Sequence, residues 1–149
     1  MNRLWPAAVF VLVVAIGQTA CSDRYTWSLD SPAEARERGL VERGWVPDWI
    51  PESSRDIMLS YDLDTNEVWL TLSLASDDRH QLQGRLVPTR VDGTHVRRPT
   101  IGWPTFLTGV LNQQDIERQD YESFAAIDRG WFAAVNWAED RVCLWKPAS

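Results

Sequence analysis

The clearest pattern of hydrophobic and polar positions predicts a β-hairpin near the middle of the chain. Residues 55–62 and 67–75 place apolar side chains at every second position, which is the period of a strand with one buried face. The polar residues 63–66 suit a tight connection between two such strands. Alternation puts Trp69 on the face opposite the apolar set. We therefore expect Trp69 either to lie beneath residues 45–49 or to be an exposed contact residue.

The C-terminal third of the chain predicts a three-stranded meander. Strand-like runs at 121–127, 131–137 and 141–145 are separated by short polar connections. Near the other end of the chain, residues 25–29 fit either a short strand or an extended tether.

A short helix is predicted at 32–38. Ser31 is a favourable N-cap, and Pro32 suits the first helical position. Glu34 completes a capping box, and Gly39 fits the position just after the last turn.

Two further helices are indicated, and together with the strands they define an expected fold class. Residues 76–78 are expected to cap a helix that runs to Gln83 and ends at Gly84. Apolar positions at helical spacing predict another helix over 104–112. The sequence therefore predicts an α+β fold: an antiparallel sheet of about five strands, the hairpin plus the meander, with one or two short helices on one face.

The first 20 residues have the layout of a bacterial export signal. Arg3 precedes an unbroken apolar run over 4–16. As a helix at roughly 1.5 Å per residue, this run would extend about 20 Å, which is short of the ~30 Å hydrocarbon core of a bilayer. The expected organisation is a signal peptide at 1–20 followed by a single globular domain at 21–149.

Residues 19–21 resemble the lipobox of bacterial lipoproteins, with Cys21 as the lipidated residue. Gln18 stands where that pattern has an aliphatic residue, so two alternatives stay open: ordinary signal-peptidase cleavage after Gly17, and an uncleaved N-terminal anchor. Lipidation implies attachment to a membrane through acyl chains. By resemblance to Gram-negative sorting, Ser22 favours the periplasmic face of the outer membrane, and the alternative is a soluble periplasmic or secreted protein.

The net charge argues against nucleic acid as a partner, and the expected state of Cys143 depends on whether Cys21 is acylated. A formal net charge of −6 is poorly suited to nucleic acid, whose phosphates require clustered Lys and Arg. If Cys21 is acylated, Cys143 is a lone thiol that should be buried, because the compartment is oxidising. If Cys21 is not acylated, a Cys21–Cys143 disulfide is possible.

The chain contains no familiar catalytic or metal-binding motif. Asp62, Asp64 and Asn66 have the spacing that opens a calcium-binding EF-hand loop, but the required Gly and Glu are missing further on. Those side chains are therefore expected to cap a tight turn. No metal and no cofactor are predicted, and a hydrolase built on two carboxylates stays an alternative.

Tryptophan is the one unusual abundance, with nine in the chain. Large aromatic side chains can fill a small core, and exposed indoles can stack on sugar rings or anchor peptides. Trp45, Trp49 and Trp69 are the candidate ligand-contact residues, with glycan or peptidoglycan as the alternative ligand class.

The block at 44–51, followed by Asp56-Ile57 and by residues 62–66, resembles a pattern of uncharacterised bacterial exported proteins. That pattern reads Gly-Trp-hydrophobic-Pro-x-Trp-hydrophobic-Pro, then Asp-Ile, then Asp-x-Asp-Thr-Asn. The resemblance implies export and a single domain, and it transfers no catalytic residue. The sequence thus predicts an envelope lipoprotein whose domain is a non-catalytic binding or structural module that contacts another envelope protein or a glycan.

Overall fold

In the computed structural model, described over residues 24–96, 104–107, 109–128 and 130–148, the predicted hairpin and meander join into one antiparallel sheet of seven strands. Its strands are β1 (Arg24–Leu29), β2 (Arg55–Asp62), β3 (Val68–Ser73), β4 (Leu86–Pro88), β7 (Glu122–Ala126), β8 (Phe132–Asn136) and β9 (Arg141–Lys146). They lie side by side in the order β1-β2-β3-β9-β8-β7-β4. The last strand, β9, pairs with β3 and so joins the meander to the hairpin.

Smaller elements complete the described part of the chain. β5 (His95–Val96) and β6 (Gly109–Val110) form a separate two-stranded ribbon. The helices are α1 (Pro32–Glu37), α2 (Arg79–Gln83) and α3 (Gln113–Glu117), with a 3₁₀ turn at Ser76–Asp78 before α2. None of the helices in the described ranges has the length and apolar character needed to span a bilayer.

The predicted fold class was wrong. The prediction of about five strands did not count residues 25–29, which were left open between a strand and a tether and form the edge strand β1, and it missed β4 and the β5–β6 ribbon. β4 has only three residues and ends in Pro88, so it carries too little alternation to be recognised. The prediction of helices on one face was also wrong, because both faces of the sheet are covered.

Alternation along the strands divides the core into two layers. One layer lies between the sheet and the segment that contains α1 and residues 40–50, and it includes Ile57, Leu70 and Leu144. The other layer lies on the opposite face, where Trp69 and Trp145 pack with side chains from residues 91–121. Because the central strands are buried on both faces, β3 is buried at five consecutive positions.

Helix α1 begins and ends as the sequence predicted. The Ser31 hydroxyl accepts a hydrogen bond from the Glu34 N–H at 3.3 Å, and Pro32 occupies the first turn. Gly39 has a φ of +68°, and the Leu40 N–H donates to the Ala35 carbonyl at 2.9 Å. This pair of features is the Schellman ending, and it brings the buried Leu40 side chain into the first core layer.

The helix predicted over 104–112 was wrong. Residues 104–107 form a turn, Gly109–Val110 is strand β6, and the helix α3 begins only at Gln113. Asn112 caps α3, because its side-chain oxygen accepts from the Gln114 N–H at 2.9 Å. Gly109 has a φ of +66°, which no right-handed helix allows.

The register places several connections at one end of the seven-stranded sheet. β1 begins there at Arg24, which pairs with Asp62 at the end of β2. The β2–β3 connection at 63–67, the β7–β8 connection at 127–131 and the end of β9 at Lys146 lie at the same end. We call this the Arg24 end. The opposite end carries residues 74–78 after β3 and the β8–β9 connection at 137–140.

Candidate functional site

The aromatic segment 44–51 lies against the sheet through a stack of three rings. The Trp45 indole stacks on Tyr61, with ring centroids 3.8 Å apart and an interplanar angle of 16°. Tyr25, directly across from Tyr61 on β1, stacks on the same ring at 5.3 Å. Gly44 has a φ of +70°, so its left-handed conformation allows the chain to turn into this contact.

Cationic and polar contacts surround the stack. The Arg43 guanidinium lies over the Trp45 ring, 5.2 Å from its centroid, and Arg38 lies over Trp27 at 5.1 Å. The Trp27 indole N–H donates to the Tyr61 hydroxyl at 3.5 Å. Trp45 is half-buried and its ring is engaged by Tyr61 and Arg43, so part of its surface is already used within the protein.

A cleft of about 390 Å³, which we call the acidic cleft, opens beside the same segment. Its lining side chains are apolar at the floor, where Trp49 and Trp131 are 6 % and 7 % exposed. Three carboxylate residues line it as well, each of them exposed: Glu42, Asp48 and Asp128. The remaining lining residues come from the chain between α1 and Trp49: Val41, Gly44, Val46 and Pro47.

An arginine moderates the negative charge near this cleft. Arg36 on α1 forms a two-pronged ion pair with Glu52, in which Nη1 lies 2.9 Å from Oε2. This hydrogen bonding lowers the pKa of Glu52 and raises that of Arg36, and Glu42 and Asp48 raise the Arg36 pKa further. Glu42 and Asp48 therefore lie within the electrostatic reach of an arginine that is already paired with Glu52.

The structure separates the three predicted contact residues. Trp45 and Trp49 belong to the segment on the first core layer, with Trp49 buried and Trp45 half-buried. Trp69 lies on the other face of the sheet, 1 % exposed, with Arg24 over its ring at 5.2 Å. Both expectations for Trp69 were wrong, because the second core layer covers it. The alternation of the sequence correctly predicted the face of the sheet on which Trp69 lies. It contained no signal that residues 91–121 would pack over that face.

The only cysteine in the described residues, Cys143, is a free thiol enclosed in the second core layer. Burial raises the pKa of the Cys143 thiol to about 12, although Arg141 and a hydrogen bond with Tyr121 act in the opposite direction. Burial also raises the pKa of Tyr121 to about 12, and Cys143 adds to that shift. A thiol that is neutral and enclosed is a poor nucleophile. Cys21 lies outside the described residues.

The Asp62 side chain caps the β2–β3 turn, as the sequence predicted. Its Oδ1 accepts from the Asp64 N–H at 3.0 Å and from the Thr65 N–H at 3.2 Å. Across residues 24–96, 104–107, 109–128 and 130–148, no group of three or more His, Cys, Asp or Glu side chains could hold a metal ion.

A second cleft, of about 380 Å³, was missed by sequence reasoning. It lies where α3 meets β7, and its polar centre is the buried Gln113. The Gln113 side chain accepts from the Ser123 hydroxyl at 2.8 Å and donates to Glu117 at 2.9 Å. Because these polar groups are hydrogen-bonded to one another, we interpret them as a network that stabilises the fold. The N-cap signal of Asn112 could have located it, had α3 been placed correctly.

Comparison with known proteins gives one partial match. Residues 23–73 match the family described as the YbbD head domain. The matched range covers β1, α1, the aromatic segment and the β2–β3 hairpin, and thus one wall of the acidic cleft but not Asp128 or Trp131. This similarity supports a bacterial family of uncharacterised role, and the block of residues 44–66 falls inside it. No curated protein and no solved structure matches the chain.

Proposed function

We propose that the protein is an exported lipoprotein, held on a bacterial envelope membrane by acyl chains on Cys21, whose domain is a non-catalytic binding or structural module. The observation that carries the proposal is the apolar leader that ends at Cys21, three residues before β1 begins at Arg24. The proposed site of action is the periplasmic face of the outer membrane.

The state of Cys143 supports this assignment. Its thiol lies between β9 and the layer that covers the second face, and it is 2 % exposed. A Cys21–Cys143 disulfide would require the N-terminal residues to enter that layer. Acylation of Cys21 leaves the packing around Cys143 unchanged.

Metabolic labelling with palmitate tests the anchor. We expect the wild-type chain to incorporate label, and globomycin to block its processing. Cys21→Ala should abolish labelling, whereas the matched variant Cys143→Ala should label like the wild type. Label retained in Cys21→Ala, or a wild-type chain without label that fractionates as soluble protein, would refute the lipoprotein assignment.

The acidic cleft supports a second candidate function, the binding of a glycan. Trp49 and Trp131 line the cleft with the small exposed part of their indoles, which offers an apolar contact for a sugar, and Glu42 and Asp48 offer acceptors for its hydroxyl groups. Isothermal titration with soluble peptidoglycan fragments tests it. We expect Asp48→Asn to weaken binding and Asp115→Asn, on α3 outside the cleft, to leave it unchanged. Equal binding by both variants would exclude the cleft.

A carboxylate-based hydrolase needs two carboxylates, one as general acid and the other as general base or nucleophile. The acidic cleft is lined by Glu42, Asp48 and Asp128, so a hydrolase of this kind would act there. The titration mixture distinguishes binding from hydrolysis. A hydrolase would generate new reducing ends over time, and Asp48→Asn or Glu42→Gln would stop their formation. A binding module would leave the fragments intact.

A further inference from the structure

Exposed apolar side chains gather at the Arg24 end of the sheet. Tyr25 is 45 % exposed, Leu63 46 % and Ile127 57 %. Among the described residues, the other large hydrophobic side chains that are comparably exposed are Val87 and Val110. Val87 is the second residue of β4, which begins at this same end of the sheet. Four of the five therefore lie at or near one end of the domain. β1 and β7 are five strand positions apart, so these side chains are spread along that end over roughly 24 Å, a span that a flat surface can contact at once.

The strand topology explains why Tyr25, Leu63 and Ile127 lie at the same end of the sheet. Tyr25 is the second residue of β1, Leu63 follows the last residue of β2, and Ile127 follows the last residue of β7. They come from three separate parts of the chain. No local sequence pattern groups them, and only the pairing of the strands does so.

The N-terminal chain reaches the domain at this same end. Cys21 precedes Arg24 by three residues in the sequence, and at about 3.5 Å per residue a chain of that length can reach no further than roughly 10 Å. From Arg24, β1 runs away towards the opposite end of the sheet. Acyl chains on Cys21 would therefore hold the Arg24 end close to the bilayer, with no linker long enough to let the domain turn round.

We propose that the Arg24 end is a lipid-facing surface that rests on a phospholipid bilayer, with Tyr25, Leu63 and Ile127 inserted at the headgroup boundary. This inference rests on the lipidation of Cys21 proposed above. The opposite end, with Ala75 and Ala138, then points away from the membrane and is presented to partners.

The charges at the Arg24 end favour apolar insertion over electrostatic adsorption. Lys146, the only lysine of the chain, lies there, and Arg24 forms an ion pair with Asp62 at 3.8 Å. Exposed Asp64 and Asp128 lie at the same end. Because the two signs are mixed, contact with the bilayer should depend little on salt.

The test compares labels at the two ends of the same strands. In the full-length lipidated protein, a single cysteine carrying an environment-sensitive nitrobenzoxadiazole label is placed at Leu63→Cys or Ile127→Cys. The matched controls are Ala75→Cys, beyond the other end of β3, and Ala138→Cys, beyond the other end of β8. Strands of five or six residues separate the two label sites by about 17–20 Å. Buried Cys143 should not react, and the unsubstituted chain verifies this.

The proteins are reconstituted into phospholipid vesicles with and without brominated acyl chains. We expect a blue-shifted emission and quenching by brominated lipid for labels at 63 and 127, and neither effect at 75 and 138. Adding 0.5 M salt shortens the Debye length from about 8 Å to about 4 Å and should leave the quenching unchanged.

Failure of this inference looks different from failure of the proposed function. If the protein carries palmitate and floats with vesicles but all four labels behave alike, the lipid-facing surface is refuted and the lipoprotein stands. If the chain carries no lipid and stays in solution, both are refuted. A further variant with Leu63→Asp, labelled at 127, should keep its palmitate and lose its quenching; unchanged quenching would count against a role for Leu63.

Discussion

The Trp45 indole stacks on the Tyr61 ring with 3.8 Å between centroids, and this contact joins the aromatic segment to the sheet. Tyr61 stacks in turn on Tyr25, so the three rings link residues 44–51, β2 and the edge strand β1. The segment that forms one wall of the acidic cleft is therefore fixed to the sheet by aromatic contacts, in addition to its buried residues Val46 and Ile50.

Trp45→Ala should destabilise the protein by about 2–3 kcal/mol, because it removes a large half-buried ring and its stacking with Tyr61. Trp45→Phe keeps an aromatic ring against Tyr61 and should cost clearly less. Urea unfolding followed by circular dichroism measures both variants. An alanine variant as stable as the wild type would show that the stack does not hold the segment.

Ser60→Ala should be neutral or stabilising by up to about 1 kcal/mol. In the described structure the Ser60 hydroxyl is buried without a hydrogen-bond partner, so removing it removes a desolvated polar group. Ser123→Ala is the control, because that hydroxyl lies 2.6 Å from the Thr89 carbonyl and 2.8 Å from the Gln113 amide oxygen. It should cost about 1–2 kcal/mol in the same unfolding assay. The reverse order would contradict this assignment.

Gly39→Ala should destabilise by about 1–2 kcal/mol, because Gly39 has a φ of +68° at the end of α1. An added Cβ would meet only the end of the Glu42 side chain, at 3.9 Å, so the cost comes from the backbone conformation. Gly84, at the end of α2, has a φ of −64°. Gly84→Ala should therefore be neutral or slightly stabilising. Thermal unfolding of the two variants compares them directly.

Stability should fall at alkaline pH, beginning near pH 9. Burial raises the pKa of Cys143 from 9.0 to about 12 and that of Tyr121 from 10.0 to about 12. The unfolded chain loses these protons first, so the stabilisation is complete below pH 9 and is lost as the pH rises towards 12. Urea unfolding at pH 8 to 11 should show a decline that Cys143→Ala makes shallower and shifts towards pH 10. Identical pH profiles would exclude Cys143 as a source.

Local signals in the sequence were sufficient for elements that depend on near neighbours. The hairpin, the three meander strands, α1 and α2 lie within three residues of their predicted bounds, and β2 matches them at both ends. Ser31, Pro32 and Gly39 act on their own helix, and the Asp62 carboxylate acts on its own turn. Such contacts span a few residues, so the sequence pattern contains them.

Elements that depend on distant neighbours were not predictable in the same way. β4 exists because Leu86 pairs with Ala126 some forty residues later, and its own three residues have no strand pattern. The apolar spacing at 106–111 predicted a helix, but Phe106, Leu107 and Leu111 instead pack with Trp69 and Trp145 in the second core layer. Tertiary burial therefore outweighed local periodicity at both places.

The candidate sites show the same division. The sequence singled out Trp45, Trp49 and Trp69 by composition and predicted the face on which Trp69 lies. Only the fold placed Trp131 and Asp128 beside Trp49 in a cleft, buried Trp69 under a second layer, and gathered Tyr25, Leu63 and Ile127 at one end. The sequence alone determined the alternation of the hairpin and meander strands and the ends of α1, because these are properties of consecutive residues. The tertiary structure decided which faces are covered and which side chains meet, because strand pairing joins residues that no local pattern connects.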